Sequence, residues 1–157
     1  MKKRIAYIIA TWFGSGYFPI ASATAGSAAT LPLAFIAAYF GGLPAVLVSA
    51  IVVYIVGTYA TKEVLKYTKH DPSIVVVDEA AGQLVALLPF ANYLQGNLES
   101  WWIYIAAFFL FRLFDIVKPW PANYFDRKVI NVHGVMLDDI VAGVYTALVL
   151  WGLTCLF

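Results

Sequence analysis

The hydrophobic pattern of the chain is one of long apolar stretches separated by short polar loops. Leu43–Thr61, Trp101–Val117 and Val135–Phe157 each fall near the roughly 17–25 apolar residues that a membrane-crossing helix needs. Ala80–Leu94 is shorter and carries Gln83 and Pro89, so it is expected to be kinked or packed inside a bundle. Ala28–Phe40 is shorter still, and either begins earlier than its apolar run or is re-entrant. The pattern predicts an all-α integral membrane bundle of about four to five spans. The basic start of "MKKRIAYIIATWFG" and its short apolar run predict an N-terminal helix lying at the membrane surface. No internal repeat or linker divides residues 1–157, which read as one domain.

Composition agrees. Hydrophobic residues make up 62% of the chain and charged residues 12%, against roughly 25% charged in a soluble domain. Mean hydropathy is +0.82. A net charge of +1 and the lack of basic stripes argue against nucleic acid as a partner. The single cysteine, Cys155, forms no internal disulfide and belongs to no metal-binding C-x-x-C. In short loops, Lys and Arg gather on the cytoplasmic side of a membrane. Threading the spans through Leu33, Val48, Leu87, Phe108 and Leu148 puts all 10 Lys and Arg on one side, with every acid except Glu99. The N-terminus then lies inside and the C-terminus outside.

The acids carry the chemistry. "VVVDEAAG" and "VMLDDIVAG" each place a pair of carboxylates at a span end, Asp78–Glu79 and Asp138–Asp139. Asp78 is followed by Gly82 and Asp139 by Gly143, four residues on and so on the same helical face. A glycine there lets a second helix approach closely and set the two pairs side by side. In "FRLFDIVKPWP", Arg112, Asp115 and Lys118 recur every three residues, which predicts a basic rim beside the acids, and Pro119 and Pro121 end that helix. One acid at a helix N-terminus is an ordinary cap. An adjacent second acid adds repulsion unless a cation neutralises it. Asp78, Glu79, Asp115, Asp138 and Asp139 on one side therefore point to a hard divalent cation with oxygen ligands, Mg²⁺ first among them. Mg²⁺ beside Arg and Lys suits phosphoryl chemistry. "GSGYFPIASATAGSAATLP", residues 14–32, is expected to be a small-residue loop preceding a helix, offering N–H groups and hydroxyls to an anion. It equally serves tight helix packing.

Four blocks, "GSGYFP…TAGS…LP", "HDPSIVVVDEAAGQ", "FRLFDIVKPWP" and "HGVMLDDIVAG", occur in the order in which they stand in the phosphatidylglycerophosphatase A family, which the chain resembles over nearly its whole length. The resemblance implies a bacterial membrane enzyme that removes the terminal phosphate of phosphatidylglycerophosphate with Mg²⁺. It departs from the family pattern at two places. Ser22-Ala23 stands where a Pro-Gly precedes the threonine, and Asn131-Val132 where a Gly-Gly precedes the last block. The implied mechanism is hydrolysis by Mg²⁺-activated water. Asp78, Glu79, Asp115, Asp138 and Asp139 would hold the metal, with Glu79, Asp139 and Asp78 as candidates for catalysis and Glu79 the first choice of base. Lys118 and Arg112 would bind phosphate, and Thr24 and Ser27 would add donors. His70 is a further proton carrier to consider. Two rivals remain. A transporter wants ionisable residues at mid-membrane depth, and a phosphatidyltransferase wants spaced aspartates with an Ala-Arg pair. Thiolate, aspartyl-phosphate and histidine-nucleophile phosphatases lack their required residues here.

Overall fold

A computed structural model describes residues 2–68 and 72–155. Every regular element in the described residues is helical: α1 (Lys3–Ala10), α2 (Ser22–Val64), α3 (Val77–Leu87), α4 (Trp101–Val117), α5 (Ala122–Lys128) and α6 (Val132–Thr154). Short 3₁₀ turns at Ser15–Tyr17 and Leu88–Phe90 follow α1 and α3.

The largest departure from expectation is α2. Two separate stretches, Ala28–Phe40 and Leu43–Thr61, belong to one 43-residue helical element that starts at Ser22 and breaks at Gly42. Gly42 adopts φ 57°, ψ −149°, a conformation that glycine reaches without strain, and Pro44 restarts the helix. The break is capped from outside: the Leu43 N–H donates to Asn92 Oδ1 at 2.9 Å, and the Gly96 N–H donates to the Tyr39 carbonyl at 3.0 Å. Gly26 lies against Val76 and Gly57 against Val77 and Met136, whereas Gly42 lies against Asn92 and Gln95. The arms 22–41 and 43–64 therefore run in opposite directions as a helical hairpin. Residues 22–32, expected as a loop, form the first turns of its first arm. Their small side chains are a packing surface: a Cβ on Gly26 would lie 2.7 Å from Val76 Cβ.

Every residue of α3 except Val85 is buried, so this helix is the axis of the bundle. It ends at Leu87, where Pro89 converts the chain to the 3₁₀ turn instead of continuing to Leu94. α4 buries Ile103, Tyr104, Ala107 and Phe111, the spacing of one helical face. Its other side exposes Trp101, Ile105, Phe109, Leu113 and Ile116. α6 begins three residues before the expected Val135, because the Asn131 side chain accepts from the His133 and Gly134 N–H groups and caps it.

The bundle is built small inside and large outside. Alanines at 34, 38, 60, 80, 81, 86, 107 and 142 are buried, while Val48, Ile51, Ile55, Phe109, Leu148 and Trp151 face outward. Helices that pack in lipid follow this rule, because close backbone approach rather than hydrophobic burial holds them together. By length and composition, two helices among the described residues can cross a membrane, Ser22–Val64 and Val132–Leu153, which is fewer than the four to five spans expected.

Candidate active site

The two acidic pairs meet where α3 crosses α6. The contact is glycine against glycine: a Cβ on Gly143 would sit 2.3 Å from the Gly82 carbonyl oxygen, and one on Gly82 would sit 2.5 Å from the Asp139 carbonyl oxygen. No residue with a side chain fits either place without moving backbone. This approach carries Asp78, Glu79 and Asp139 together. All three are buried, and one carboxylate oxygen from each lies within 4.8 Å of the others.

The pairs share a local arrangement. Asp78 Oδ1 accepts from the Glu79 N–H at 3.2 Å, and Asp138 Oδ1 accepts from the Asp139 N–H at 3.0 Å. Glu79 Oε2 and Asp139 Oδ1 are buried and have no hydrogen-bond partner among the described residues. Buried carboxylate oxygens in that state are costly unless a cation or a proton neutralises them. An oxygen-only group of this spacing suits a hard divalent cation such as Mg²⁺, which needs few carboxylates and keeps part of its water.

Of the five acids expected to act together, two stand outside that close group. Asp115 pairs with Arg112 at 2.7 Å. Asp138 accepts from Lys118 Nζ at 2.6 Å, and Lys118 also donates to Asp126 at 2.5 Å. The expectation that Arg112, Asp115 and Lys118 share one helix face fails at its last member. Pro119 disfavours the right-handed helical conformation at the residue before it. Lys118 leaves α4 with φ 45°, ψ 61° and turns toward α5 and α6. Burial opposes its charge, but the hydrogen bonds to Asp126 and Asp138 outweigh that and hold the ammonium above its ordinary pKa.

A cavity of about 340 Å³ joins these groups. Asp78, Glu79, Asp115, Lys118, Asp138 and Asp139 all line it. Arg112 does not. Neither do Thr24 and Ser27. Ser27 is buried and its hydroxyl donates to the Ala23 carbonyl at 3.0 Å. The wall also holds Ser22, Ser73 and Asp126, which sequence reasoning did not single out. Ser22 Oγ donates to the Ser73 carbonyl at 2.6 Å and ties the first turn of α2 to the segment before α3. Asp126 belongs to no sequence motif, and its place shortly after the prolines that turn the chain back is the one cue to it. His70 lies outside the described residues.

The sequence model of the phosphatidylglycerophosphatase A family matches residues 8–154. A phosphatidylglycerophosphatase A of Haemophilus influenzae is 34% identical, covering 94% of this chain and 87% of that protein. Its counterpart from Escherichia coli is 35% identical over 92% and 81%. A Bacteroides thetaiotaomicron protein, provisionally named phosphatidylinositol-3-phosphatase, is 41% identical over 88% and 87%. No solved structure matches the chain. With the family match spanning nearly its full length, the chain belongs to the phosphatidylglycerophosphatase A family.

Proposed function

We propose that this protein hydrolyses the terminal phosphate of phosphatidylglycerophosphate, giving phosphatidylglycerol and inorganic phosphate. The observation that carries this reading is the cavity in which the buried Asp78–Glu79–Asp139 group faces Lys118. Asp78, Glu79 and Asp139 would hold Mg²⁺, with Asp115 and Asp138 at the edge of the site. When bound, Mg²⁺ supplies an acidified water and shields phosphate charge. Lys118 binds a phosphate oxygen as a charge-assisted donor. Glu79, whose Oε2 lacks a protein donor, takes the proton of the attacking water. Arg112 acts through Asp115, whose carboxylate it holds at the cavity wall.

The site is expected at the cytoplasmic face of a bacterial inner membrane, at the depth of lipid phosphates. The two arms of α2, α4 and α6 would cross the bilayer, α3 with its 3₁₀ turn would fill the centre, and α1 would lie at the surface. The loop-charge asymmetry supports this placement. A lipid enters laterally and leaves its acyl chains in the membrane. With Cys155→Ala as background, an impermeant thiol reagent on spheroplasts is expected to label a cysteine at position 97 at once and one at position 127 only after the membrane is opened. The opposite pattern places the chemistry on the outer face.

The deciding measurement is phosphate release from phosphatidylglycerophosphate by purified protein with Mg²⁺ and with excess EDTA. Release with Mg²⁺ and its abolition by EDTA are expected, and full activity in chelator would sink the metal mechanism. A second reading, hydrolysis of a phosphorylated inositol lipid, is favoured by the 41% identical relative and its name. Running phosphatidylinositol 3-phosphate in the same assay separates the two by kcat/KM.

A further inference from the structure

Lys118 is placed where its own helix cannot orient it. It is the first residue beyond α4, in a left-handed conformation, and a proline follows. A four-carbon side chain in that position samples many rotamers and loses that freedom when it is ordered. What orders it lies on other elements. Nζ donates to Asp126 Oδ1 from α5 and to Asp138 Oδ2 from α6. An ammonium has three N–H donors, so two are used and one remains. All three residues line the cavity that holds the Asp78–Glu79–Asp139 group.

The two anchors differ. Asp138 is buried on α6, and its backbone continues directly into Asp139. Asp126 is a partly exposed side chain on a seven-residue helix and belongs to neither acidic pair. With Asp138 alone, the ammonium sits against one carboxylate and swings about it. With both, its position between α5 and α6 is determined and the third N–H has a fixed direction. α5 is itself braced. A Cβ on Gly134, in the first turn of α6, would lie 2.9 Å from the Phe125 carbonyl oxygen, so the two helices touch backbone to backbone beside Asp126.

We propose that Asp126 is a positioning residue: with Asp138 it fixes the Lys118 ammonium on the cavity wall so that the remaining N–H meets a phosphate oxygen. This rests on the reading of the cavity as a phosphatase site. It assigns the paired carboxylates to unlike tasks, since Asp138 serves the lysine while Asp139 serves the cation group.

The test uses the full chain in detergent and two separate readouts. Inorganic phosphate binding, measured by calorimetry with Mg²⁺ present, needs no turnover. Asp126→Asn is expected to weaken it about tenfold, and Asp126→Glu to recover most of the loss. The double variant Lys118→Ala/Asp126→Asn is expected to bind no worse than Lys118→Ala, because the aspartate acts only through the lysine. With phosphatidylglycerophosphate, Asp126→Asn is expected to raise KM about tenfold and leave kcat within about threefold. An Asp126 that merely ties α5 to the bundle would lower the active fraction, and so apparent kcat, while phosphate affinity and KM stay at wild-type values. That result overturns the proposal, as do multiplying effects in the double variant or a wild-type protein that does not bind phosphate. Phosphate binding with the expected variant pattern, but no hydrolysis of either lipid, leaves Asp126's role standing and removes the proposed function instead.

Discussion

Asp78–Glu79 and Asp138–Asp139 look like copies of one device. Each is an adjacent acidic pair with a glycine four residues after one member, and in each the first carboxylate accepts from the next backbone N–H. Their surroundings divide them. Asp78 and Glu79 both enter the close group, on a helix buried on nearly all sides. Asp139 joins them, but Asp138, on the neighbouring position of α6, faces Lys118. Two adjacent helical residues point about 100° apart, so one pair can serve two places at once. A pair of acids is therefore not a functional unit. The helix that crosses it, and the residue that meets each carboxylate, assign the parts.

Breaking the close group should have the largest effect. Asp139→Asn and Glu79→Gln keep shape and remove charge, and each is expected to cut turnover at least about a hundredfold, the size of losing a ligand or a base. Circular dichroism should be unchanged. Asp138→Asn is the control within the pair: it is expected to keep Mn²⁺ affinity near wild type, where Asp139→Asn loses it, and to weaken phosphate binding instead. Near-wild-type turnover in both Asp139→Asn and Glu79→Gln would show that the close group does not carry the reaction.

The approach of the two helices comes next in size. A methyl group on Gly143 would press on a backbone carbonyl, not on a side chain that can turn aside. Gly143→Ala is expected to lower stability by about 1–3 kcal/mol, as overpacking does. It is also expected to slow turnover about tenfold by widening the gap between Glu79 and Asp139. Serine at the same position should behave like alanine. An unchanged thermal midpoint and rate would show that α3 and α6 do not need contact at this point.

These glycines show how much of the site was legible in advance. Spacing alone places Gly82 and Gly143 one turn beyond an acid, and the structure puts them against each other. The apolar stretches likewise locate α4 and most of α6. What stayed hidden depends on tertiary partners. Ser22-Ala23-Thr24-Ala25-Gly26-Ser27 has the composition of a loop, yet it forms the start of α2, with Gly26 packed against Val76. Thr24 and Ser27 do not line the cavity, whereas Ser22 does. The hairpin at Gly42 depends on Asn92 and on the Gly96 N–H, some fifty residues away in the chain. Lys118 could be expected on the helix face of Arg112 from spacing, yet Pro119 was the stronger local signal. Asp126 had no motif at all, because its meaning lies in a lysine on another element.

The smallest effect is expected at the start of α6, and it separates the helix from the carboxylates it carries. Asn131 Oδ1 accepts from the His133 N–H at 2.8 Å, satisfying a donor that the first turn would otherwise leave bare, and shares the Gly134 N–H (3.3 Å) with the Asn131 backbone carbonyl (3.0 Å). Removing the cap with Asn131→Ala is expected to cost about 1 kcal/mol. In a chain of this length that is a fall in thermal midpoint of about 2–4 °C. Turnover should stay within about twofold, since Asp138 and Asp139 lie almost two turns further on and are held by Lys118 and by the α3 crossing. Asn131→Asp keeps the acceptor and should restore the midpoint. Asn131→Gly should lose only a few tenths of a kcal/mol, because glycine is tolerated at a helix N-cap. Differential scanning fluorimetry in detergent, with the phosphate assay alongside, reads both quantities. If Asn131→Ala lowers turnover as far as Asp139→Asn does, the start of α6, and not the carboxylate on it, sets the geometry of the site.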